Sequence, residues 1–101
     1  MQKHTKIYMN AFGYTETDFI PSEISGQKAN DTHHIIGRGK GGEDRIENLM
    51  AVTRKEHEKY GDKKQYMKDL LFMHESKLKA KGINYSRDWF LTNYKKYANP
   101  N

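Results

Sequence analysis

Three histidines and one asparagine between residues 33 and 57 are spaced so that they could form a hydrolytic site. His33 and His34 are adjacent, Asn48 follows fourteen residues after His34, and His57 lies nine residues further on. A free imidazole has a pKa of about 6.5, so it can take a proton from water near neutral pH. Imidazole is also a common ligand of first-row transition metals. Together the four residues could supply a general base and a metal site, the combination that suits hydrolysis of a phosphodiester bond.

The two adjacent histidines lie in a predicted short strand, residues 31–36, which is rich in β-branched residues. Neighbouring side chains of a strand project to opposite faces. We therefore expect His33 and His34 to do two different jobs, one as a ligand and one as a base. His57 is predicted in the first turns of a helix, where a hairpin would bring it to face either His33 or His34.

Turn and helix signals predict the elements that position these residues. Residues 37–42 contain four glycines, so they are expected to form a loop. Residues 43–48 are predicted as a helical turn and residues 49–52 as a second strand, antiparallel to the first. Thr53-Arg-Lys-Glu56 fits a capping box that begins the helix carrying His57. Gly61 is expected to end or interrupt that helix.

Two further helices are predicted in the C-terminal part of the chain. Asp62-Lys-Lys-Gln65 fits a second capping box, for a helix that runs to about Lys81. Ser86 is expected to begin the last helix. The apolar stripe of the first of these helices is predicted from the spacing of Met67, Leu70, Leu71 and Leu78, with Tyr66 and Met73 alongside. The aromatic residues of the last helix share one side: Trp89, Phe90, Tyr94 and Tyr97.

Composition restricts the kind of metal site and the compartment. The chain has no cysteine, which excludes disulfides and thiolate zinc sites. Any metal must therefore be held by histidine, carboxylate, amide or backbone oxygen. Mean hydropathy is −1.07, and no apolar run approaches the roughly 18 residues of a membrane span. Residues 1–6 carry no signal-peptide pattern, so we expect a cytoplasmic protein with no membrane partner.

The excess positive charge is confined to the C-terminal part. Residues 1–61 hold nine basic and nine acidic residues, whereas residues 62–101 hold nine basic and four acidic residues. A polyanion such as nucleic acid is a natural partner for such a region. A solvated helical surface would give the same pattern, and charge alone favours neither interpretation.

The histidine segment resembles the HNH nuclease family. The matching residues are Asp31-Thr-His-His-Ile-Ile-Gly-Arg-Gly-Lys-Gly-Gly42, then Arg45-Ile-Glu-Asn-Leu49, then His57. The match covers about residues 22–60. The resemblance implies an α+β fold with a ββα-metal core at 22–60, an N-terminal extension, and a helical C-terminal extension at 62–98, all in one domain over 1–101. It also implies an endonuclease that hydrolyses DNA with histidine-activated water and one divalent metal ion.

The resemblance assigns a role to each of the four residues. His34 takes the position of the general base, and His33 and His57 take those of the metal ligands. Asn48 takes the position that orients the base or, in some relatives, contacts the metal. Arg38, in the glycine-rich loop, could clamp the scissile or an adjacent phosphate, or be only a surface charge.

The chain departs from the family pattern outside the site. Many relatives carry two Cys-x-x-Cys pairs that hold a structural zinc, and here Ser22-Glu-Ile-Ser25 and Thr53-Arg-Lys-Glu56 stand at those places. No structural zinc is therefore expected. The aromatic residues of 1–20, an ordered segment with a break at Gly13, and the C-terminal helices are the material available to brace the site. Relatives with a further histidine one helical turn after the last ligand are not matched either, since that position is Gly61.

The expected ligands and partners follow from these assignments. Two imidazole ligands favour Mn²⁺, Zn²⁺, Ni²⁺ or Co²⁺, whereas Mg²⁺ fits only if phosphate and water supply most of its ligands. DNA is the expected substrate and RNA the alternative, in a bacterial or phage-infected cell. The residues expected to contact nucleic acid are Arg38, Lys40, Arg45, Lys63, Lys64 and Lys68.

Two other functions remain open at this point. The chain could be a nucleic-acid-binding module that keeps the HNH shape without cleaving, or a nuclease subunit that acts only with a partner protein or as a homodimer. Two histidines are expected to take no part in the chemistry. His74 lies on the apolar stripe of the long helix and is interpreted as a packing residue, and His4 is interpreted as inert.

Overall fold

The computed structural model describes residues 1–98 and shows an α+β fold, in which four α-helices surround a two-stranded antiparallel sheet. The helices and strands are α1 (Lys3–Phe12), β1 (Asp31–His34), β2 (Leu49–Val52), α2 (Arg54–Tyr60), α3 (Lys64–Ala80) and α4 (Arg87–Lys96). The C-terminal tail, residues 99–101, which the sequence predicts to be frayed, lies outside the described range. Among the described helices, none is long and apolar enough to cross a membrane.

The strand β1 ends at His34, two residues earlier than predicted. The reason is that the side chain of Asn48, and not the backbone of the neighbouring strand, accepts the hydrogen bond from Ile36. His33 pairs with Met50 and His34 with Leu49 in the antiparallel ladder. Beyond His34, the backbone N–H of Ile36 donates to Oδ1 of Asn48 at 2.8 Å. The second strand has the predicted bounds, and all four of its residues are buried.

The glycine-rich segment between the strands contains more regular structure than predicted. Two short 3₁₀ helices, Arg38–Lys40 and Ile46–Asn48, lie within the connection, and the second confirms the predicted helical turn. Gly41 adopts a φ of 83° and its N–H donates to the carbonyl of Arg38 at 3.0 Å. At Gly42 a side chain would collide with the backbone carbonyl of Ile36. The loop therefore folds back tightly onto the end of β1.

The helix that carries His57 begins as the sequence predicts. The backbone N–H of Glu56 donates to the Thr53 hydroxyl at 3.1 Å, and the N–H of Thr53 donates to the Glu56 carboxylate at 2.8 Å. This capping box satisfies two of the free N–H groups at the helix start. The helix ends at Tyr60, and the N–H of Gly61 donates to the carbonyl of His57.

The second predicted capping box is wrong. The cap of α3 is Lys63, which makes no side-chain capping bond. Asp62 has a positive φ of 56°, and its carboxylate lies against Gly37. Lys40 also donates to the backbone carbonyl of Asp62 at 3.2 Å. These contacts hold Asp62 in the loop, so it cannot serve as the helix cap.

The sheet is covered on both faces, and the C-terminal helices supply much of the core. Leu49 and Ala51 contact Tyr8 of α1 on one face. On the other face, the buried cluster joins β2 and the residue after β1 to α3 and α4, and comprises Ile35, Met50, Val52, Leu70, Leu71, Leu78, Phe90 and Tyr94. The predicted apolar stripes of both C-terminal helices are confirmed as buried, except that Trp89 and Tyr66 are only partly covered and Met73 is exposed.

A buried polar network joins α1 to α3. His74 is fully buried, and its Nδ1 lies 2.8 Å from the carboxylate of Glu23 while its Nε2 lies 2.6 Å from the carbonyl of Ile46. Tyr8 donates its hydroxyl to the same carboxylate at 2.7 Å. His74 therefore does more than pack, because it ties three separate segments together through hydrogen bonds.

A second polar contact joins the segment 22–25 to the segment 53–56. The Ser22 hydroxyl donates to the Glu56 carboxylate at 2.5 Å and accepts from the N–H groups of Ile24 and Ser25 at 3.0 and 3.2 Å. Glu56 is also the carboxylate of the α2 capping box. The connection before β1 is thereby attached directly to the start of the helix that carries His57.

Candidate active site

The strand β1 separates its two histidines onto different faces, as its alternation requires. His33 projects towards α2, where its ring lies 4.6 Å from the ring of His57, measured between centroids. His34 projects towards α1, where its ring lies 4.6 Å from that of His4. Of the two arrangements left open by the sequence, His57 therefore faces His33.

His33 is a buried side chain with unsatisfied nitrogens. Only 3% of the residue is exposed, and within residues 1–98 neither ring nitrogen has a hydrogen-bond partner. Burial and then the nearby His57 lower the pKa of His33 to about 4. The imidazole is therefore neutral near pH 7 and keeps a free lone pair. A buried polar group without a partner costs about 1–3 kcal/mol, so its presence points to a ligand.

A carboxylate fixes the orientation of His57. Nδ1 of His57 lies 3.0 Å from Oδ2 of Asp31, and Arg54 donates to both oxygens of the same carboxylate at 2.7 and 2.8 Å. The hydrogen bonds from Arg54, and also that from His57, lower the pKa of Asp31 against the opposing effect of burial. With Nδ1 donating to a carboxylate, Nε2 is the nitrogen left for a ligand, which is the usual arrangement behind a metal-bound histidine.

Gly61 leaves room for the two rings. A side chain at this position would collide with the carbonyl of His57 and would reach to 3.5 Å from Cε1 of His33. A larger residue such as histidine is therefore excluded from position 61 for a steric reason. Asp62, which follows Gly61, lines the same cleft as His33 and His57.

His34 lies in a different electrostatic setting. Its Nε2 is 2.6 Å from Oδ1 of Asp44, and Arg38 donates to the same oxygen at 3.3 Å. The hydrogen bond to His34 has the largest effect and lowers the pKa of Asp44, and the hydrogen bond from Arg38 lowers it further. Arg38 also donates to Nδ1 of His4 at 3.3 Å. Burial and then the neighbouring His34 and Arg38 lower the pKa of His4.

Asn48 holds the loop rather than either histidine ring. Its side-chain amide donates to the carbonyls of Ile36 and Glu43 at 3.1 and 3.0 Å, and it accepts from the N–H of Ile36. These three bonds join the two ends of the loop that carries Arg38 and leads to Asp44. Asn48 therefore positions the surroundings of His34 through the backbone.

Both histidines open into one cleft of about 720 Å³. Residues from α1, β1, the glycine-rich loop and α2 line it, including Gln2, Thr5, Asn30, Asp31, Thr32, Arg54, Glu58 and Asp62. Two imidazoles that face each other fit a first-row transition metal, and the unpartnered nitrogens of His33 support that fit. Arg38 lies at the wall of the cleft with 63% of its side chain exposed.

The other residues predicted to contact nucleic acid lie around the cleft rather than in it. Arg45 is paired with Glu47 at 2.9 Å and lies over the ring of Trp89. Lys40 is attached to the backbone of Asp62. The remaining three lie at the start of α3: Lys63, Lys64 and Lys68. Their contact with nucleic acid stays a prediction.

Several residues that line the cleft or contact its histidines were not identified from the sequence. Asp31 could have been, because it lies two residues before His33 and so shares its face of the strand. His4 and Asp44 are remote from each other along the chain, and no local signal joins them. The prediction that His4 is inert is not supported by its contacts with His34 and Arg38.

Comparison of this chain with models of known protein families, with characterised proteins and with solved structures finds no match.

Proposed function

We propose that this chain is a metal-dependent endonuclease of the HNH type, with β1, β2 and α2 as its ββα-metal core, and that it hydrolyses phosphodiester bonds of DNA. One observation carries the proposal. Adjacent histidines reach one cleft from opposite faces of a strand, one beside His57 with no hydrogen-bond partner and the other against the carboxylate of Asp44. This is the division between ligand and base that such a hydrolysis needs.

His33 and His57 are the residues that would hold the metal ion. Both rings line the same cleft with their centroids 4.6 Å apart, and the Asp31 carboxylate behind His57 keeps its ring in place. A divalent ion bound there would neutralise the charge that develops on the phosphate and would stabilise the leaving oxygen. The donor set favours Mn²⁺, Co²⁺, Ni²⁺ or Zn²⁺.

His34 is the proposed general base. When its Nε2 donates to Asp44, the lone pair on Nδ1 can accept a proton from the attacking water. The carboxylate of Asp44 then stabilises the imidazolium that forms and keeps the ring in one orientation. Asn48 contributes as a positioning residue, because its bonds to the loop backbone set where Asp44 stands.

Arg38 is the proposed phosphate clamp. Its guanidinium lies at the wall of the cleft and is largely exposed, so it can reach a phosphate that enters. Planar guanidinium groups bind phosphate oxygens in pairs. The basic residues at the start of α3 would then contact neighbouring phosphates without reading sequence.

A plasmid-nicking assay tests the proposal. Wild type, His34→Ala and His57→Ala are compared with Mg²⁺, Mn²⁺, Co²⁺, Ni²⁺ and Zn²⁺ in turn, with the exposed Lys81→Ala as the matched control. We expect cleavage by wild type and by the control, and a loss of about 10²–10⁴-fold for His34→Ala. If wild type and His34→Ala are equally inactive with every ion while both bind DNA, the chain is a binding module instead.

The contribution of the basic residues is best tested by substitution rather than by truncation. Deleting residues 62–101 would remove Leu70, Leu71 and Leu78 from the core, so the remainder would not be a fair test. Replacing Lys63, Lys64 and Lys68 with alanine should lower the slope of log affinity against log salt by up to about three. An unchanged slope in the folded variant would show that DNA binds to another part of the protein surface.

A further inference from the structure

We propose that His4, His34 and Asp44 form a second site for a first-row transition-metal ion, and that an ion bound there takes His34 out of use as the base. The first half of this statement stands on geometry alone. The second half rests on the proposed nuclease function. We call these three residues the α1-side site, and His33 with His57 the α2-side pair.

The three side chains converge from separate parts of the chain. His4 comes from α1, His34 from β1 and Asp44 from the end of the glycine-rich loop, and each offers one ligand atom, all within 4.8 Å of one another. Only 8% of the surface of His4 is exposed, and its ring lies against that of His34. The nitrogen and oxygen ligands of one tetrahedral zinc lie about 3.3 Å apart. The three atoms would therefore need only small side-chain movements to bind one ion.

A positive charge already lies beside these atoms. Nη2 of Arg38 is 3.3 Å from Nδ1 of His4 and 3.3 Å from Oδ1 of Asp44. The guanidinium therefore marks a position where the protein favours a cation. Because 63% of the Arg38 side chain is exposed, it can move into solvent or onto a phosphate and leave the position to a metal ion. Arg38 and the ion then compete for the same two atoms.

The α1-side site is distinct from the other histidine groups of the described chain. It shares no residue with the α2-side pair, since β1 directs His33 and His34 to different faces. The buried His74 offers a useful contrast. Both of its nitrogens already contact protein acceptors, the Glu23 carboxylate and the Ile46 carbonyl, so neither is available to a metal ion. Within residues 1–98, the contacts of the His4 and His34 rings are with each other, with Asp44 and with a displaceable arginine.

Occupation of the α1-side site would stop catalysis. An ion bound to Asp44 and His34 takes away the carboxylate that orients the base and makes the imidazole a ligand. Two imidazoles and one carboxylate suit Zn²⁺, Co²⁺ or Ni²⁺, whereas Mg²⁺ prefers a shell of oxygen atoms. We therefore expect excess Zn²⁺ to inhibit an enzyme assayed with Mg²⁺ or Mn²⁺.

Calorimetric titration of the metal-free protein with Zn²⁺ tests the site without any assay of activity. Wild type should bind two ions, and His4→Gln and His57→Ala should each bind one. Arg38→Ala should bind the second ion several-fold more tightly, because the competing cation is gone, which a merely structural His4 would not explain. Asp44→Asn is the second variant that should lose this ion, and circular dichroism checks that each variant folds.

Two results would overturn the site: His4→Gln that still binds two ions, or Arg38→Ala that binds the second ion no more tightly than wild type. Failure of the α2-side pair gives a different pattern. In that case His57→Ala would bind the same number of ions as wild type, and only His4→Gln and Asp44→Asn would lose one. The two proposals therefore fail independently.

The inhibitory role has its own readout. With Mn²⁺ fixed and Zn²⁺ rising, His4→Gln should need at least tenfold more Zn²⁺ than wild type for half-inhibition of plasmid nicking. Without added Zn²⁺ the variant should cleave as wild type does, because His4 is not part of the proposed catalytic machinery. Equal sensitivity of the two proteins to Zn²⁺ would contradict the inhibitory role.

Discussion

The two faces of β1 place neighbouring, identical residues in opposite situations. On the α2 side, His33 is buried among other groups with no hydrogen-bond partner in the described chain, and its pKa falls to about 4. On the α1 side, His34 has the Asp44 carboxylate at 2.6 Å. A strand of four residues thus gives the same amino acid two different environments, which we propose serve as ligand and as base. The difference comes from what the neighbouring elements bring to each face.

The largest expected effect separates the two faces by function. His33→Ala and His34→Ala should both lower the rate of DNA cleavage, the latter by about 10²–10⁴-fold. Only His33→Ala should also remove the ion at the α2-side pair, as measured by Co²⁺ absorption spectra in the His4→Gln background, which isolates that pair. If His34→Ala removed that ion instead, the assignment of ligand and base would be reversed.

The next largest effect concerns the loop that carries Arg38 and leads to Asp44. Asn48→Ala should lower the free energy of unfolding by about 3 kcal/mol, because it leaves the backbone groups of Ile36 and Glu43 without partners in a buried place. Urea denaturation measures this. In a folded variant, cleavage should fall more than Co²⁺ binding to the α2-side pair, and equal losses of both would show that the loop supports both faces.

A smaller effect, on the free energy of unfolding, should have opposite signs for substitutions on the two faces of β1. Without metal, His33→Leu should raise the free energy of unfolding by about 1–2 kcal/mol, because it removes a buried polar group without a partner. His34→Leu should lower it, because Asp44 loses its imidazole partner. Thermal denaturation of the metal-free proteins checks both. A loss of stability for His33→Leu of the same size as that for His34→Leu would contradict the comparison.

The smallest effect concerns the helices that support both faces. Glu75 of α3 is buried, and although burial would raise its pKa, hydrogen bonds from Arg87, Tyr94 and Tyr85 lower it. A lowered pKa in the folded state adds stability above the unfolded value of about 4.5, and this stability is lost as pH falls through the folded pKa.

Glu75→Gln should therefore lower the free energy of unfolding by about 1 kcal/mol at pH 7, and by progressively less as pH falls below about 4.5. Urea denaturation over a pH series measures this difference. A difference between the proteins that stays constant with pH would show that the charge on Glu75 contributes nothing. Neither histidine face should change its metal binding, which makes the variant a control for the preceding comparisons.

The sequence was most informative where one local pattern determines the structure. Strand alternation placed His33 and His34 on opposite faces, and the capping box at Thr53 placed His57 in its helix. The second capping box failed because tertiary contacts hold Asp62 at a positive φ. Helix α1 was predicted only as an ordered segment, because no capping signal marks its start. Its N-cap residue is Gln2, which makes no side-chain capping bond.

Contacts between distant residues could not be predicted in this way. His4, His34 and Asp44 meet only because α1 lies across the sheet and the loop folds back at Gly42. The ties of His74 to Glu23 and Ile46 have the same origin. In each case the partner is chosen by packing of whole elements, which local spacing does not report.

The hydrogen bond between Ser22 and Glu56 has a practical consequence for anyone who handles the protein. The hydroxyl of Ser22 and the carboxylate of Glu56 hold this part of the fold without a metal, so in the proposed enzyme a strong chelator should stop cleavage without unfolding the protein. The apoprotein can then be reloaded with one ion after another from the same stock. In the proposed enzyme, folding and binding of the catalytic ion would be two separate events, whereas they are linked in proteins built around a zinc knuckle.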